Sequence, residues 1–402
     1  MTPTLTPTQK IVLIGLAALV LLAGFTVALR FTLFSAPLGA DFYTFWLAGR
    51  AVFVDAENPY SADVTLQSQM GIYGRPALPQ EDQVAFAYPP YSLLPILPAA
   101  LLPYDWAEAY WLSLNILALS ALILAAFPRG RKRSPLLYFL FYPVFFGLIL
   151  GNFAVPLGTI LVFCMMFVFL KEQPGRGWQI AAGVFMAWAT CKPQFVWFFG
   201  LVMLLIALRR RLWPFLISLT VTGVSLAALS FVLVPNWLSQ WVGRIFEYAG
   251  YVQSRLTLTT LLQQFLPENA ALTLTYLLAA SLGGLSFYLA LRWWRGRLPT
   301  LHLFLWAGFC TYLLHPHGIA YEQISFLAPL LVWAGAQESP RSLARWLAWP
   351  GAVLFSWVCF GLGKWLYHPA DAWPVIWNGL FLVWLFTRPT EPLPRNEVAH
   401  AD

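Results

Sequence analysis

The sequence predicts an all-α protein that crosses a membrane many times, and two observations carry this prediction. Of its 402 residues, 59% are hydrophobic and only 10% are charged, whereas soluble globular proteins carry about 25% charged residues. The apolar residues also lie in long runs, close to the roughly 20 residues that a helix needs to cross the hydrocarbon core. We therefore expect residues 1–402 to form one polytopic helical unit embedded in membrane lipids.

The apolar runs predict about 12 transmembrane helices, although several runs are short. They lie near residues 11–30, 108–127, 136–151, 153–170, 178–191, 194–208, 214–234, 271–291, 299–314, 322–336, 346–363 and 373–387. Between the first two runs, "YPPYSLLPILPAALLP" at Tyr88–Pro103 contains too many prolines for one regular helix. We expect this stretch to be a broken, half-embedded segment.

The basic residues predict the orientation of the chain. They cluster between apolar runs at Arg129–Arg133, Arg209–Arg211 and Arg292–Arg297, as is typical of cytoplasmic loops. This arrangement makes the tails 1–10 and 388–402 cytoplasmic and makes residues 35–107 a large extracytoplasmic first loop. The same spacing argues against nucleic acid as a partner, despite the net charge of +7.

One carboxylate stands out at the start of the first loop. Asp41 follows the first apolar run and is surrounded by aromatic residues in "DFYTFW". One interpretation is an interfacial aromatic belt that includes a carboxylate without a function. The other is a partly desolvated general base whose pKa is raised by its apolar surroundings. Asp55 and Glu57 are the alternatives for that role.

Cations at outer helix ends are the next candidates. Lys192 lies away from the basic clusters and is either a snorkelling lysine or a cation that holds a phosphate. His315 and His317 are either structural caps or phosphate hydrogen bonders, and Arg255 adds a further cation. Glu322 is a helix-start charge or orients a histidine.

The sequence contains no pattern typical of a bound cofactor. The four cysteines are scattered without a CxxC pair, and no third histidine or cysteine lies near His315 and His317, so we expect no metal site and no loss of activity in a chelator. Neither a GxxxxGK[ST] nor a GxGxxG motif is present. An energy-rich substrate must therefore be carried by a lipid or met outside the cell.

Several short motifs occur in an order that resembles a known family. "DFYTFWLAG" begins at Asp41, and "NPY", "YPP", the Asn115 of "WLSLN", Gly151–Asn152 and "AAGVFMAWATCKPQ" follow it. Together they resemble the glycosyltransferase 87 family over roughly residues 38–215. The family is similar to the GT-C class of membrane enzymes that use polyprenyl-phosphate sugars.

The resemblance implies a GT-C-type bundle and an inverting sugar transfer, mannose being the sugar typical of the family. The donor would be a polyprenyl-phosphate sugar, the acceptor a lipid-linked or other extracytoplasmic glycan, and the location the outer face of the plasma membrane. Asp41 would be the base. The implied donor-phosphate contacts are Lys192, His315, His317 and Arg255, and the implied substrate contacts are Tyr43, Trp46, Tyr88, Asn152 and Glu322.

A lipid or polysaccharide transporter or flippase is the alternative from another class. It would explain many helices and a few isolated charges, but it requires functional charges near the membrane midplane. Nearly every acidic residue of this sequence falls in a predicted loop. The distribution of carboxylates therefore favours an enzyme.

Overall fold

The computed structural model describes residues 6–32, 39–127, 133–251, 256–316, 320–336, 346–366 and 373–387. Every regular element within these ranges is helical, so the predicted all-α class is confirmed. The proposed tail 388–402 and residues 1–5 of the other tail lie outside the described residues.

The helices of the first half of the chain run from α1 to α9, with α2 to α4 in the first loop. They are α1 (Pro7–Thr32), α2 (Ala40–Phe53), α3 (Ala62–Tyr73), α4 (Leu97–Ala100), α5 (Tyr104–Ala126), α6 (Arg133–Leu136), α7 (Tyr142–Leu150), α8 (Ala154–Cys164) and α9 (Arg176–Ala189). A 3₁₀ helix, Pro90–Ile96, precedes α4, and a π-helical turn, Met165–Phe169, continues α8. The proline-rich run is therefore broken, as predicted.

The described residues of the second half form nine further α-helices. They are α10 (Pro193–Arg210), α11 (Trp213–Leu233), α12 (Trp237–Tyr251), α13 (Thr257–Gln263), α14 (Glu268–Trp294), α15 (Thr300–Leu313), α16 (Ile324–Ala336), α17 (Ala352–Leu366) and α18 (Pro374–Thr387). A 3₁₀ turn, Ala320–Gln323, precedes α16, and a π-helical turn, Leu347–Gly351, leads into α17.

Each of the twelve predicted segments falls on helical residues, but fewer are long enough to span a membrane alone. In the described part of the chain, six helices are both long and apolar enough: α1, α5, α10, α11, α14 and the helix Leu347–Trp365. Three more apolar helices, Ala154–Phe169, Thr300–Leu313 and Pro374–Thr387, are shorter. The chain is a polytopic helical membrane protein, while a total of about 12 spans remains a prediction.

One predicted span, 136–151, is interrupted in the structure. It consists of α6, a 3₁₀ turn at Leu137–Leu140 and the nine-residue α7. Phe141 is extended at φ −64° and ψ 129°, and Pro143 stands in the first turn of α7. The break lies at Phe141, and α7 restarts directly after it with Pro143 in its first turn, where no backbone N–H is needed.

The bundle has a buried centre and a lipid-facing periphery. In α16, every residue from Ile324 to Gly335 is buried, and α15 and α8 pack against it. In contrast, α1, α11 and α14 expose large apolar side chains such as Val20, Val232 and Phe287. Exposed apolar area on this scale marks a surface that contacts lipid. The buried central helices, in contrast, pack closely and fix the positions of the turns that connect them.

Helices α9 and α11 approach each other closely at a glycine. A Cβ on Gly183 of α9 would lie 2.6 Å from the carbonyl oxygen of Phe215 in α11 and 2.8 Å from the amide nitrogen of Leu219. These are backbone atoms, which cannot rotate away as a side chain can. Close packing of the two helices therefore requires glycine at this position.

We predict that Gly183→Val lowers the melting temperature of the detergent-solubilised protein, because overpacking costs about 1–3 kcal/mol. Gly200→Val on α10 is the matched control, since a Cβ at Gly200 meets nothing within 4 Å. Both variants introduce the same β-branched residue into a helix. Equal melting temperatures for the two variants would contradict the close α9–α11 contact.

Candidate functional site

The site begins at the first turn of α2, which is fixed against α5. The amide of Gly39, the residue before α2, donates to Oε1 of Glu108 at 2.5 Å. The Tyr104 hydroxyl donates to the carbonyl of the same glycine at 2.9 Å. Asp41 stands in this first turn, where the helix macrodipole favours negative charge. The position of Asp41 is thus set by residues of α5.

The turn between α7 and α8 approaches α2 very closely. Gly151 has a positive φ of 67°, and a Cβ on it would lie 2.5 Å from Cβ of Phe42. The indole of Trp111 donates to the carbonyl of Gly151 at 2.9 Å and stacks on the ring of Phe42. Glycine is required here both by the backbone conformation and by the contact. The next residue, Asn152, is consequently directed at Asp41.

The Asn152 side chain connects a carboxylate with a cation. Its Oδ1 accepts from the amide of Ala154 at 2.8 Å and from Nζ of Lys192 at 3.2 Å. Its Nδ2 donates to Oδ2 of Asp41 at 2.8 Å. Two donors at the oxygen fix the orientation of the amide, so Asn152 presents its NH₂ group to Asp41.

Behind Asn152 lies a chain of buried ionisable groups. Nζ of Lys192 donates to Oε1 of Glu322 at 2.5 Å, and Nε2 of His315 lies 3.3 Å from Oε2 of Glu322. The three residues are between 1% and 3% exposed. Lys192 therefore does not reach out to the headgroup layer as a snorkelling lysine does. The sequence left that alternative open.

These neighbours determine the pKa of Asp41, which lies in α2 outside the membrane-spanning helices. Burial raises the pKa from 3.8 to about 6, while the hydrogen bond from Asn152 and the charge of Lys192 lower it. The charges of Asp82 and Glu322 raise it further. A carboxyl group with a pKa near 6 is ionised at neutral pH and accepts a proton readily, as general-base catalysis requires.

The three predicted aromatic contacts lie in two different places. The ring of Tyr88 meets the rings of Phe45 and Phe153 edge-on, at 5.2 Å each. Burial raises the pKa of Tyr88, and the charges of Glu322 and Asp41 raise it further. Tyr88 therefore lies at the site. Tyr43 and Trp46 instead pack against Tyr104, at 4.8 and 5.2 Å.

The remaining candidates lie elsewhere or outside the described residues. His317 and Arg255 lie outside the described residues. Asp55 and Glu57 are exposed beyond the C-terminal end of α2, about 20 Å along the helix from Asp41 at 1.5 Å per residue. Within the described ranges, no three His, Cys, Asp or Glu side chains are grouped in a way that could hold a metal ion.

Sequence reasoning missed one residue of the site, Glu108. This carboxylate is 4% exposed and holds the residue that precedes α2. The available signal was its position at the start of a predicted span, because ionisable residues inside apolar helices are rare and generally have a specific role.

Comparison with known proteins agrees with the resemblance read from the sequence. The family model described as glycosyltransferase family 87 matches residues 86–316, more than half of the chain. No curated protein and no solved structure matches the chain. The matched region contains Tyr88, Asn152, Lys192 and His315, while Asp41 precedes it and Glu322 follows it.

We predict that Asn152→Ala raises the pKa of Asp41 above 6, because the variant removes a hydrogen bond that favours the carboxylate. Carbodiimide reacts with protonated carboxyl groups, so mass spectrometry of Asp41 labelling against pH reports the midpoint. The matched control is Asn115→Ala, whose buried amide donates to the carbonyl of Trp111. A midpoint equal in the parent and in Asn152→Ala would refute the contact.

Proposed function

Because the chain belongs to glycosyltransferase family 87 and is a membrane glycosyltransferase, we propose that it transfers mannose from a polyprenyl-phosphate donor to a lipid-linked or other extracytoplasmic glycan. The observation that carries this proposal is the hydrogen-bonded chain from Asp41 through Asn152 to Lys192. The Asn152 side chain contacts both a base and a cation. A base can accept the proton of an attacking hydroxyl group, and a cation can stabilise a departing phosphate. Family membership argues against the transporter or flippase considered from the sequence.

In the proposed reaction, Asp41 takes the proton of the acceptor hydroxyl. The acceptor oxygen attacks the anomeric carbon, and the bond from that carbon to the phosphate oxygen breaks, so polyprenyl phosphate leaves with the electron pair. One oxygen of Asp41 is held by Asn152, and no described residue donates to the other. Glu322 is paired with Lys192 and His315, so it does not serve as a carboxylate nucleophile. With Asp41 as the base, a single inverting displacement is favoured.

We propose Lys192 as the contact to the donor phosphate. An ammonium has three N–H donors, and those of Lys192 directed at Asn152 and Glu322 leave one for a phosphate oxygen. That contact would strengthen as negative charge develops on the leaving oxygen. His315 stands next in the network, and His317 and Arg255 complete the proposed phosphate contacts.

We assign the site to the extracytoplasmic face of the plasma membrane. Lys192 directly precedes α10, whereas Arg209 and Arg210 end it and Arg211 follows, about 27 Å away at 1.5 Å per residue. Arg292 lies at the end of α14 and Arg295 follows that helix. Basic clusters prefer the cytoplasmic side, which supports an outward-facing position for Asp41.

We predict that Asp41→Asn reduces transfer from polyprenyl-phosphate mannose by about 10²–10⁴-fold, the usual cost of losing a positioned base. In the parent, kcat/KM should fall as the pH drops through about 6, because Asp41 is protonated there. The assay follows labelled mannose into lipid or glycan in proteoliposomes.

Asp63→Asn serves as the control for this prediction, since Asp63 also stands in the first turn of a helix of the same loop and is exposed. It should keep the parent rate. Near-normal turnover by Asp41→Asn would remove this residue from the mechanism.

We predict that Lys192→Ala raises the donor KM and lowers kcat, and that Lys192→Arg is only partly tolerated because a planar fork replaces a compact charge. Lys192→Ala also leaves the Glu322 carboxylate buried without its lysine, which is destabilising by itself. The double variant Lys192→Met/Glu322→Gln avoids that charge. A donor KM at the parent value in Lys192→Ala and in the double variant would exclude Lys192 from the phosphate site.

A further inference from the structure

A concave region lies between the first loop and α12, apart from the candidate site. It has a volume of about 490 Å³, within the usual range for ligand sites. Its lining residues come from α3, the following loop and α12; they are Thr65, Pro79, Gln83, Arg244, Glu247 and Gly250. We call this region the α12 cleft. None of its lining residues belongs to the chain of contacts from Asp41 to His315.

The α12 cleft has a wall that is firmly attached to the first loop. Arg244 donates to the carbonyl of Tyr60 at 2.5 Å, and the amide of Asn58 donates to Oε1 of Gln240 at 2.8 Å. The indole of Trp241 donates to the carbonyl of Ala87 at 3.1 Å. Polar contacts along α12 therefore hold it against the loop, and the cleft is a preformed feature rather than a chance gap.

Both walls of the cleft continue to the catalytic site. On the loop side, Gln83 is followed by Val84, whose carbonyl accepts from Thr44, one turn after Asp41 on α2. The charge of Asp82 reaches Asp41 and raises its pKa. On the α12 side, Trp241 holds Ala87, which directly precedes Tyr88. The segment Gln83–Tyr88 thus joins the lining of the cleft to the surroundings of the base.

The chemistry of the lining indicates a neutral, hydroxyl-rich ligand. Oε2 of Glu247 pairs with Arg244 at 2.7 Å, and the Glu247 side chain is 60% exposed, so its second oxygen can accept from a hydroxyl. The same pair offsets the positive charge of Arg244, and the nearby Asp82 adds negative charge. This balance of charges disfavours a phosphate.

We propose that the α12 cleft binds the acceptor glycan, holding the sugar units beyond the one whose hydroxyl attacks. This inference rests on the proposed function and identifies the acceptor as a neutral oligosaccharide. The donor lipid approaches the site through Lys192 instead. Acceptor and donor therefore have separate sets of contacts, which can be tested separately.

The test is to fill the cleft with a bulky side chain. A Cβ on Gly250 meets nothing within 4 Å, so Gly250→Trp can project into the cleft without disturbing α12. We expect the acceptor KM to rise at least about tenfold, the factor that a loss of 1.4 kcal/mol in binding represents, with the donor KM unchanged. An unchanged acceptor KM would overturn the proposal.

Gly243→Trp is the matched control. It introduces the same residue on the same face of α12, about 10 Å earlier at 1.5 Å per residue. A Cβ on Gly243 also meets nothing within 4 Å, and Gly243 does not line the cleft. It should keep the parent acceptor KM. Equal increases in both variants would attribute the effect to α12 as a whole and would also overturn the proposal.

A binding measurement separates this inference from the proposed reaction. Saturation-transfer NMR with a free neutral mannose oligosaccharide needs neither donor nor turnover. We expect binding to the parent and to Asp41→Asn, weaker binding to Glu247→Gln, and none to Gly250→Trp. A parent that binds the oligosaccharide but transfers no sugar would refute the proposed reaction alone, whereas transfer with unaltered binding by Gly250→Trp would refute the cleft alone.

Discussion

The site depends on the hydrogen bond that Asn152 donates to Asp41. Burial alone would keep Asp41 protonated to a higher pH, because a charged carboxylate loses its hydration there. The amide of Asn152 and the ammonium of Lys192 oppose that effect, and the result is a pKa of about 6. A lower value would make a weaker base, and a higher one would leave it protonated at neutral pH. The balance between desolvation and these two contacts therefore sets the basicity.

The helix connections bring these groups together. Asn152 lies between α7 and α8, Lys192 between α9 and α10, and Glu322 in the turn before α16. Pro193 restricts Lys192 to non-helical backbone, observed at φ −122° and ψ 73°. The chain must therefore break at Lys192, and the ammonium emerges where the two helices meet. Close packing of the buried central helices brings the three connections to the same end of the bundle.

Much of the fold could be predicted, since apolar runs long enough to cross a membrane are a strong signal. Asp41, Asn152, Lys192, His315 and Glu322 could also be selected from the sequence as polar residues at helix ends. Their pairing could not, because the Lys192–Glu322 contact joins residues 130 positions apart and no local pattern specifies it. The interruption of segment 136–151 follows from Pro143 only once the surrounding packing is known.

The aromatic residues illustrate a different limit. Tyr43, Trp46 and Tyr88 look equivalent as exposed aromatics of a loop, and the sequence offered no reason to separate them. Residues 40–53 are a helix, however, and side chains three or four positions apart share a helix face. Phe45 lies on the face of Asp41 and packs against Tyr88 and Phe153, while Tyr43 and Trp46 share another. Recognising α2 as a helix would have placed Tyr43 and Trp46 away from the face of Asp41, whereas the position of Tyr88 depends on tertiary packing.

The charges of the site suggest how donor binding would affect the base in the proposed reaction. Two carboxylates, Asp41 and Glu322, lie near one lysine, Lys192. The neutral amide of Asn152 accepts from Lys192 and donates to Asp41, so it links the two residues. A phosphate bound at Lys192 would offset its positive charge and would add negative charge near Asp41. Both effects raise the pKa of a carboxyl group. On the proposed mechanism, donor binding therefore makes Asp41 a stronger base when an acceptor hydroxyl must lose its proton. A small rise from about 6 keeps the carboxylate ionised at neutral pH.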